Sequence, residues 1–129
     1  SETGSDIVVW GDGKPLREYT FSYDIARAFV WALDNYSSEK VLNCGTTEEL
    51  KIQEIIEHIA DYFNVSRDRI VYDTNRPNGV FKKSVSNEKF VSLTNFQYTP
   101  FAEGLRHTCE WLKENISSPS FRYYEKTKG

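Results

Sequence analysis

At 129 residues, with 39% hydrophobic and 15% aromatic side chains, the chain is long enough to bury a core and too apolar to be mostly disordered. Its formal net charge of −3 argues against a general nucleic-acid binder, which needs a basic face. No apolar run reaches the roughly 18 residues of a membrane span, and the polar residues 1–6 do not resemble a secretory signal.

The first half of the chain is typical of two strands, a helix and a third strand. Residues 7–10 and 18–21 predict the first two strands, and residues 41–44 predict a short buried strand. Residues 24–36 predict a helix, in which Asp24 accepts backbone N–H bonds at the start. The apolar side chains at helical spacing, expected to face the core, are Ile25, Ala28, Phe29, Ala32, Leu33 and Tyr36.

A second helix is expected over residues 52–63. Lys51 stands where a capping Ser or Thr is usual, but Glu54 is placed to reach back to it. His58 falls on the outer face and is expected to be solvated. The residues expected to face inward are Ile52, Ile55, Ile56, Ile59 and Phe63.

The last third predicts a strand at 70–72, a short helix at 87–91 and a long final helix at 100–116. Thr99 is the expected cap of the final helix, and a proline occupies its first position. Residues 117–129 are expected to be a frayed tail. The residues expected on the inner face of the final helix are Phe101, Leu105, Thr108, Leu112 and Ile116.

The first candidate binding segment follows the first strand. Gly11 and Gly13 supply the positive φ angles of a tight turn, which is flanked by Trp10 and Arg17. A flat indole and a forked guanidinium suit a ligand that carries a planar base and a phosphate. The bland alternative is a Trp in the core and an Arg in solvent. A proline follows the glycines and no helix opens there, so this is not a dinucleotide fingerprint.

The second candidate segment is residues 75–83, a run of turn-forming residues followed by Lys82 and Lys83. Its backbone donors and two cations suit an anionic group, or equally a solvent-exposed loop.

The catalytic and metal-binding groups that the sequence offers do not assemble into a site. His58 and His107 show no metal-ligand spacing, and no nucleophile–base set is evident, so no catalytic residue, metal or cofactor is expected for this chain. Cys44 and Cys109 lie in apolar patterns and read as reduced, buried thiols, which favours a cytoplasmic protein.

Six stretches of the sequence carry a resemblance to a known family. They are residues 8–19 (VVWGDGKPLREY), 23–26 (YDIA), 41–46 (VLNCGT), 72–83 (YDTNRPNGVFKK), 96–105 (FQYTPFAEGL) and 108–111 (TCEW). Together they resemble the C-terminal part of GDP-L-fucose synthases, which are extended short-chain dehydrogenases. The resemblance implies a small mixed α/β substrate-binding domain over residues 1–116, without the Rossmann domain.

What the resemblance implies about activity concerns a larger enzyme. In this family an N-terminal Rossmann domain binds NADP(H) and carries the catalytic residues, with which neither cysteine nor histidine of this chain aligns. The full enzyme is a cytoplasmic homodimer. It converts GDP-4-keto-6-deoxy-D-mannose to GDP-L-fucose by 3,5-epimerisation and 4-reduction. This chain alone is expected to be inactive, and no nucleic acid or membrane is expected as a partner.

The resemblance also assigns four substrate-binding residues. Trp10 matches the tryptophan that packs against the nucleotide, Arg17 an arginine that contacts the diphosphate, and Lys83 a basic residue of the same site. Asn78 stands where the family usually has an aspartate that contacts substrate, so the acceptor is kept and the charge is lost.

Two alternatives remain open. The chain could belong to a related nucleotide-sugar dehydratase or epimerase that takes a different base. It could also be an interaction domain without a ligand, whose apolar surface serves a partner protein.

Overall fold

The computed structural model describes residues 6–118. Within them, five short strands and four α-helices form a mixed α/β fold. In chain order the elements are β1 (Ile7–Trp10), β2 (Leu16–Glu18), α1 (Ser22–Asn35), β3 (Glu49–Lys51), α2 (Ile52–Tyr62), β4 (Ile70–Asp73), β5 (Lys82–Lys83), α3 (Glu88–Thr94) and α4 (Phe101–Asn115). A 3₁₀ turn, Arg67–Arg69, precedes β4.

The strands form two small sheets. β1 runs parallel to β4, with Trp10 opposite Asp73 at the carboxyl ends of the two strands. β2 is the centre of the second sheet, antiparallel to β3 and parallel to β5. β1 and β2 are therefore each paired with a strand that lies more than 60 positions later in the chain.

Helix α1 buries only part of the face expected: Ile25, Ala28, Ala32 and Tyr36 are buried or half-buried. Ala28 is buried and Trp31 packs edge-on against the buried Phe90 at 5.6 Å, but Phe29 and Leu33 are exposed. The prediction that Phe29 and Leu33 face the core is wrong, because α1 is apolar on two sides and only one of them meets α3.

Residues 41–44 do not form the expected strand. Their end is held by side chains instead: the Tyr98 hydroxyl donates to the Cys44 carbonyl at 3.0 Å, and the Asn87 amide donates to the Gly45 carbonyl at 2.8 Å. Thr46 N–H donates to the Thr20 hydroxyl at 2.9 Å. These bonds fix the backbone from Cys44 to Thr46, whereas Val41 is 86% exposed and is not packed as a buried strand would be.

Asp24 is a buried link between two helices. It lies in the first turn of α1, and its carboxylate accepts the Thr99 N–H at 2.7 Å and the Thr99 hydroxyl at 3.1 Å. Arg27 donates to it at 3.0 Å. The expectation that Asp24 accepts N–H groups at the start of its own helix is wrong: α1 has no side-chain cap, and the N–H that Asp24 accepts belongs to Thr99, just before α4. The expectation that Thr99 caps α4 is wrong. The Phe101 N–H donates instead to the Glu48 carboxylate, at 2.9 Å.

Several other boundaries differ from expectation. β2 begins two residues earlier than the predicted strand because Leu16 and Arg17 pair with β5. Glu54 does reach back to the Lys51 N–H, at 2.6 Å, as expected. On α4 the expected inward residues Thr108 and Ile116 are exposed, whereas Cys109 is buried. Of the predicted tail, residues 117–129, the part beyond residue 118 lies outside the described residues.

Candidate functional site

The Gly-Asp-Gly turn that follows β1 is fixed on both sides. Gly11 and Gly13 have φ angles of +86° and +73°, in the left-handed region that favours glycine. The Gly11 N–H donates to the Asp73 carbonyl at 2.9 Å, and the Gln53 N–H donates to the Gly13 carbonyl at 2.9 Å. The turn is thereby tied to β4 and α2, and it leaves Trp10 at the surface with 66% of the residue exposed.

Asn78 connects this turn to the loop between β4 and β5. Its side-chain carbonyl accepts the Asp12 N–H at 2.7 Å. The approach is so close that a side chain at Gly11 would collide with the Asn78 amide. One acceptor of Asn78 is therefore used to join two backbone segments 66 residues apart.

Arg17 and Lys83 are directly opposite each other in the parallel pairing of β2 with β5. Paired residues of neighbouring strands point to the same face of a sheet, so the two cations share one face. Gly79, at φ +72°, lies beside them: a Cβ built on it would be 3.8 Å from an Arg17 guanidinium nitrogen. Arg17 donates to its neighbour's carbonyl, at Leu16, over 2.6 Å.

The charges on the two faces of β5 differ. Lys82 points to the other face, where its ammonium pairs with the Glu49 carboxylate at 2.7 Å. The hydrogen bond from Lys82, and after it the one from Ser84, lowers the pKa of the Glu49 carboxyl. Within residues 6–118, no carboxylate lies within ion-pair distance of Arg17 or Lys83. Two cations on one face without a counter-charge favour an anionic ligand.

Arg76 covers one face of Trp10. Its guanidinium carbon lies 5.0 Å from the centroid of the indole ring, and its Nε lies 3.6 Å from an Asp73 carboxylate oxygen. The Arg76 N–H donates to the Asp73 carbonyl at 3.1 Å, and Asn75 N–H donates to the Asp73 side chain at 3.1 Å. The turn after β4 thus places a flat cation on the tryptophan that sequence reasoning proposed for base binding.

Asp12 is the acidic member of the same group. The backbone N–H of Lys14 lowers the pKa of the Asp12 carboxyl most, and the Lys14 ammonium and the Asn78 amide lower it further. The carboxylate is therefore held charged at the edge of the candidate site.

The structure brings all four predicted site residues into one neighbourhood. Trp10 connects to Asn78 through the turn, and Gly79 connects Asn78 to Arg17 and Lys83. Sequence reasoning missed Arg76 and Asp12. The signal for Arg76 was its place three residues after Asp73 in a run of turn formers, but only the β1–β4 pairing sets it over Trp10.

The site is an open surface of the described residues. Two apolar cavities, of about 690 and 440 Å³, lie elsewhere, between the start of α1 and helix α4. Among residues 6–118 the structure shows no group of three or more metal-ligating side chains. No helix in the same range is long and apolar enough to span a membrane.

Comparison with known proteins extends this picture. Residues 1–45 match the NAD dependent epimerase/dehydratase family. Over 120 residues, 91% of this chain, it is 32% identical to GDP-L-fucose synthase of Dictyostelium discoideum. It is 32% identical over 113 residues to a trifunctional UDP-glucose 4,6-dehydratase, UDP-4-keto-6-deoxy-D-glucose 3,5-epimerase and UDP-4-keto-L-rhamnose reductase of Arabidopsis thaliana, where it covers 87% of this chain and 17% of the relative.

A solved structure gives the same match in three dimensions. The GDP-L-fucose synthetase of Naegleria fowleri, crystallised with NADP, superposes with a TM-score of 0.86 and 39% identity over 91% of this chain. The chain spans 37% of the length of the Dictyostelium relative and 37% of the Naegleria chain.

The chain therefore has the fold of a segment of the extended short-chain dehydrogenases, and its residues 1–45 are similar in sequence to the NAD dependent epimerase/dehydratase family. Within that class it is similar to the GDP-L-fucose synthases over nine-tenths of its length. Both the expected fold class and the expected family resemblance are confirmed.

Proposed function

We propose that this chain is the substrate-binding part of a GDP-L-fucose synthase. In the complete enzyme GDP-4-keto-6-deoxy-D-mannose is epimerised at C3 and C5 and reduced at C4 by NADPH, which a separate Rossmann domain binds. In this proposal Trp10 stacks on the base, Arg17 binds the diphosphate and Lys83 adds a second positive charge.

The observation that carries the proposal is the convergence of Trp10 with Arg17 and Lys83. The cations share a face without a nearby carboxylate, and Asn78 and Gly79 join that face to the turn beside the indole. A planar group and an anion separated by a ribose fit this arrangement. Binding energy gained at the nucleotide, remote from the sugar, helps to position the sugar for reaction.

The same proposal gives the chain a partner within the enzyme. The outer side of α1 is apolar and exposed at Tyr23, Phe29, Val30 and Leu33. An apolar surface of this kind favours burial against another domain, and we assign it to the NADP-binding domain. Catalytic groups come from that domain, so this chain is inactive alone. The complete enzyme works in the cytoplasm as a homodimer.

The first test is calorimetric titration of the 129-residue chain with GDP. We expect saturable binding in the wild type and at least about tenfold weaker binding in Arg17→Ala, because charge-assisted hydrogen bonds to the diphosphate are lost. Lys83→Ala is expected to weaken GDP binding more than Lys82→Ala, because the Lys82 side chain faces Glu49 on the other side of β5.

Arg106→Ala is the matched control for Arg17→Ala. Arg106 is an exposed arginine on α4 that pairs with Glu110 at 2.7 Å, and its removal is expected to leave GDP binding unchanged. Equal binding by the wild type and Arg17→Ala would contradict the proposal.

The related nucleotide-sugar enzymes are the second candidate, because the trifunctional Arabidopsis enzyme named for UDP-sugars is as similar in identity as the Dictyostelium synthase. Titration with UDP, ADP and dTDP separates the two: a preference for GDP supports the synthase, and a preference for UDP supports the alternative. Absence of binding by all four nucleotides would leave a ligand-free interaction domain as the better reading.

A further inference from the structure

The side chain of Arg76 lies against Trp10 in the candidate site. Its guanidinium carbon lies 5.0 Å from the centroid of the Trp10 ring, over one face of the indole. Its backbone is held in the turn after β4, but its side chain is 57% exposed and is tied only by the 3.6 Å contact with Asp73. The guanidinium can therefore move while its Cα stays in place.

We infer that Arg76 is a base clamp: the nucleobase enters between the Trp10 ring and the Arg76 guanidinium, which then stacks on the outer face of the base. This inference rests on the proposed function, since the base is that of the nucleotide proposed above. It adds to that proposal a residue that recognises the flat face of the base and not the phosphates.

The spacing shows how far the side chain must move. A base between two flat groups needs about 3.5 Å on each side, or about 7 Å between the groups. The guanidinium lies 5.0 Å from the ring, so it must withdraw by about 2 Å to admit the base. An exposed arginine held by one long ion pair makes such a movement at little cost.

The chemistry of the two side chains suits this role. Indole and guanidinium are both planar, and every nucleobase offers two π faces, so a cation on one face and an aromatic ring on the other both attract it. Without a ligand the guanidinium lies over one face of the indole itself. The contact between Arg76 and Trp10 is thus the ligand-free form of the clamp.

The position of Arg76 separates it from the diphosphate residues. Arg76 follows β4, which pairs with β1, whereas Arg17 and Lys83 belong to the β2–β5 pairing. Asn78 and Gly79 follow Arg76 in the chain; Asn78 binds the turn next to Trp10, and Gly79 lies beside the Arg17 guanidinium.

The test uses three probes with the wild-type 129-residue chain and its variants: GDP, guanosine without phosphate, and pyrophosphate without base. For Arg76→Ala we expect about tenfold weaker binding of GDP and of guanosine, and unchanged binding of pyrophosphate. For Arg17→Ala we expect the reverse: weaker GDP and pyrophosphate, and unchanged guanosine.

Arg76→Lys decides whether the flat group or the charge matters. Lysine keeps the charge but lacks the planar fork, so the clamp predicts that Arg76→Lys binds GDP as weakly as Arg76→Ala. Recovery of wild-type affinity in Arg76→Lys would overturn the clamp, as would loss of pyrophosphate binding in Arg76→Ala. Arg106→Ala serves as the control and is expected to bind all three probes like the wild type.

The outcomes distinguish this inference from the proposed function. If Arg17→Ala weakens GDP binding and Arg76→Ala leaves it unchanged, the clamp fails while the nucleotide site stands. If the wild type binds neither GDP, guanosine nor pyrophosphate, both fail together.

Discussion

The Asn78 side chain holds the backbone of the candidate site in place in the absence of a ligand. Its carbonyl oxygen accepts the Asp12 N–H, and its amide group also lowers the pKa of the Asp12 carboxyl, so both ends of the side chain act on Asp12. Asp12 is held charged next to it by its bonds with Lys14. An aspartate at position 78 would preserve the acceptor but would set a second carboxylate against the first.

This neighbourhood gives a prediction for two substitutions at Asn78. Asn78→Ala removes the acceptor, so we expect the two loops to separate and GDP to bind several-fold more weakly. Asn78→Asp keeps the bond and adds repulsion with Asp12. Relative to the wild type, its stability is expected to be lower where the introduced carboxyl is ionised beside the Asp12 carboxylate, whose own pKa is lowered by Lys14. The difference is expected to vanish as the pH falls below about 4 and the introduced carboxyl becomes protonated.

The measurement for Asn78→Asp is the urea midpoint as a function of pH, in parallel with the wild type and with the double variant Asp12→Asn/Asn78→Asp. The double variant removes the repulsion and is expected to restore a wild-type pH profile. A constant deficit of Asn78→Asp at all pH values would contradict the electrostatic explanation.

Among the helices and strands, the local sequence pattern predicted those that are determined by their own residues. The spacing of isoleucines predicted α2 to within a residue, and the apolar run at 7–10 predicted β1. The polar strand β3, Glu49–Lys51, was missed because it exists only through its pairing with β2. The apolar run at 41–44 predicted a buried strand wrongly: Val41 is 86% exposed, and Tyr98 and Asn87, distant in sequence, bind the carbonyls of Cys44 and Gly45 at the end of the run.

The candidate site follows the same rule. Trp10, Arg17 and Lys83 were recognisable as residue types that suit a nucleotide, and the resemblance to a family singled them out. Their proximity could not be read from the residues alone, since it depends on two parallel pairings between distant segments. Arg76 was missed for that reason.

Asp24 provides a prediction at this scale, since it links helices α1 and α4. It is 1% exposed, and its carboxylate accepts three hydrogen bonds, two from Thr99 and one from Arg27. In Asp24→Asn one oxygen is replaced by an NH₂ group that faces donors. We expect a loss of about 2–4 kcal/mol in the free energy of unfolding, measured by urea denaturation.

The matched control is Asp34→Asn, near the other end of the same helix, where the carboxylate is exposed. It is expected to change the free energy of unfolding by less than about 0.5 kcal/mol. Similar losses in the two variants would show that Asp24 does not act through the bonds to α4.

At the scale of the whole molecule, the apolar residues are divided between a small core and an exposed face. The largest buried side chain is Phe90, in contact with Trp31 and Phe96. Leu33, on the outer side of α1, is 86% exposed and contributes little to the core. Phe90 therefore contributes to the stability of this chain, and Leu33 is assigned to contact with the proposed partner domain.

This division predicts opposite responses to substitution. Phe90→Ala is expected to cost about 3–5 kcal/mol in the free energy of unfolding of the 129-residue chain, because it leaves a cavity. Leu33→Lys is expected to change it by less than about 0.5 kcal/mol. In a protein that also contains the NADP-binding domain, Leu33→Lys is expected to lower the melting temperature; no effect there would contradict the assignment of this face.

The two parallel pairings have a consequence for the order of folding. Trp10 meets residue 73 and Arg17 meets residue 83, so each contact closes a loop of more than 60 residues. Closing a long loop costs conformational entropy before the contacts across it form. We therefore expect these two strand pairings to form late in folding. A ligand that touches both segments therefore acts as a reversible cross-link on the chain, and favours the closed topology as well as filling a site.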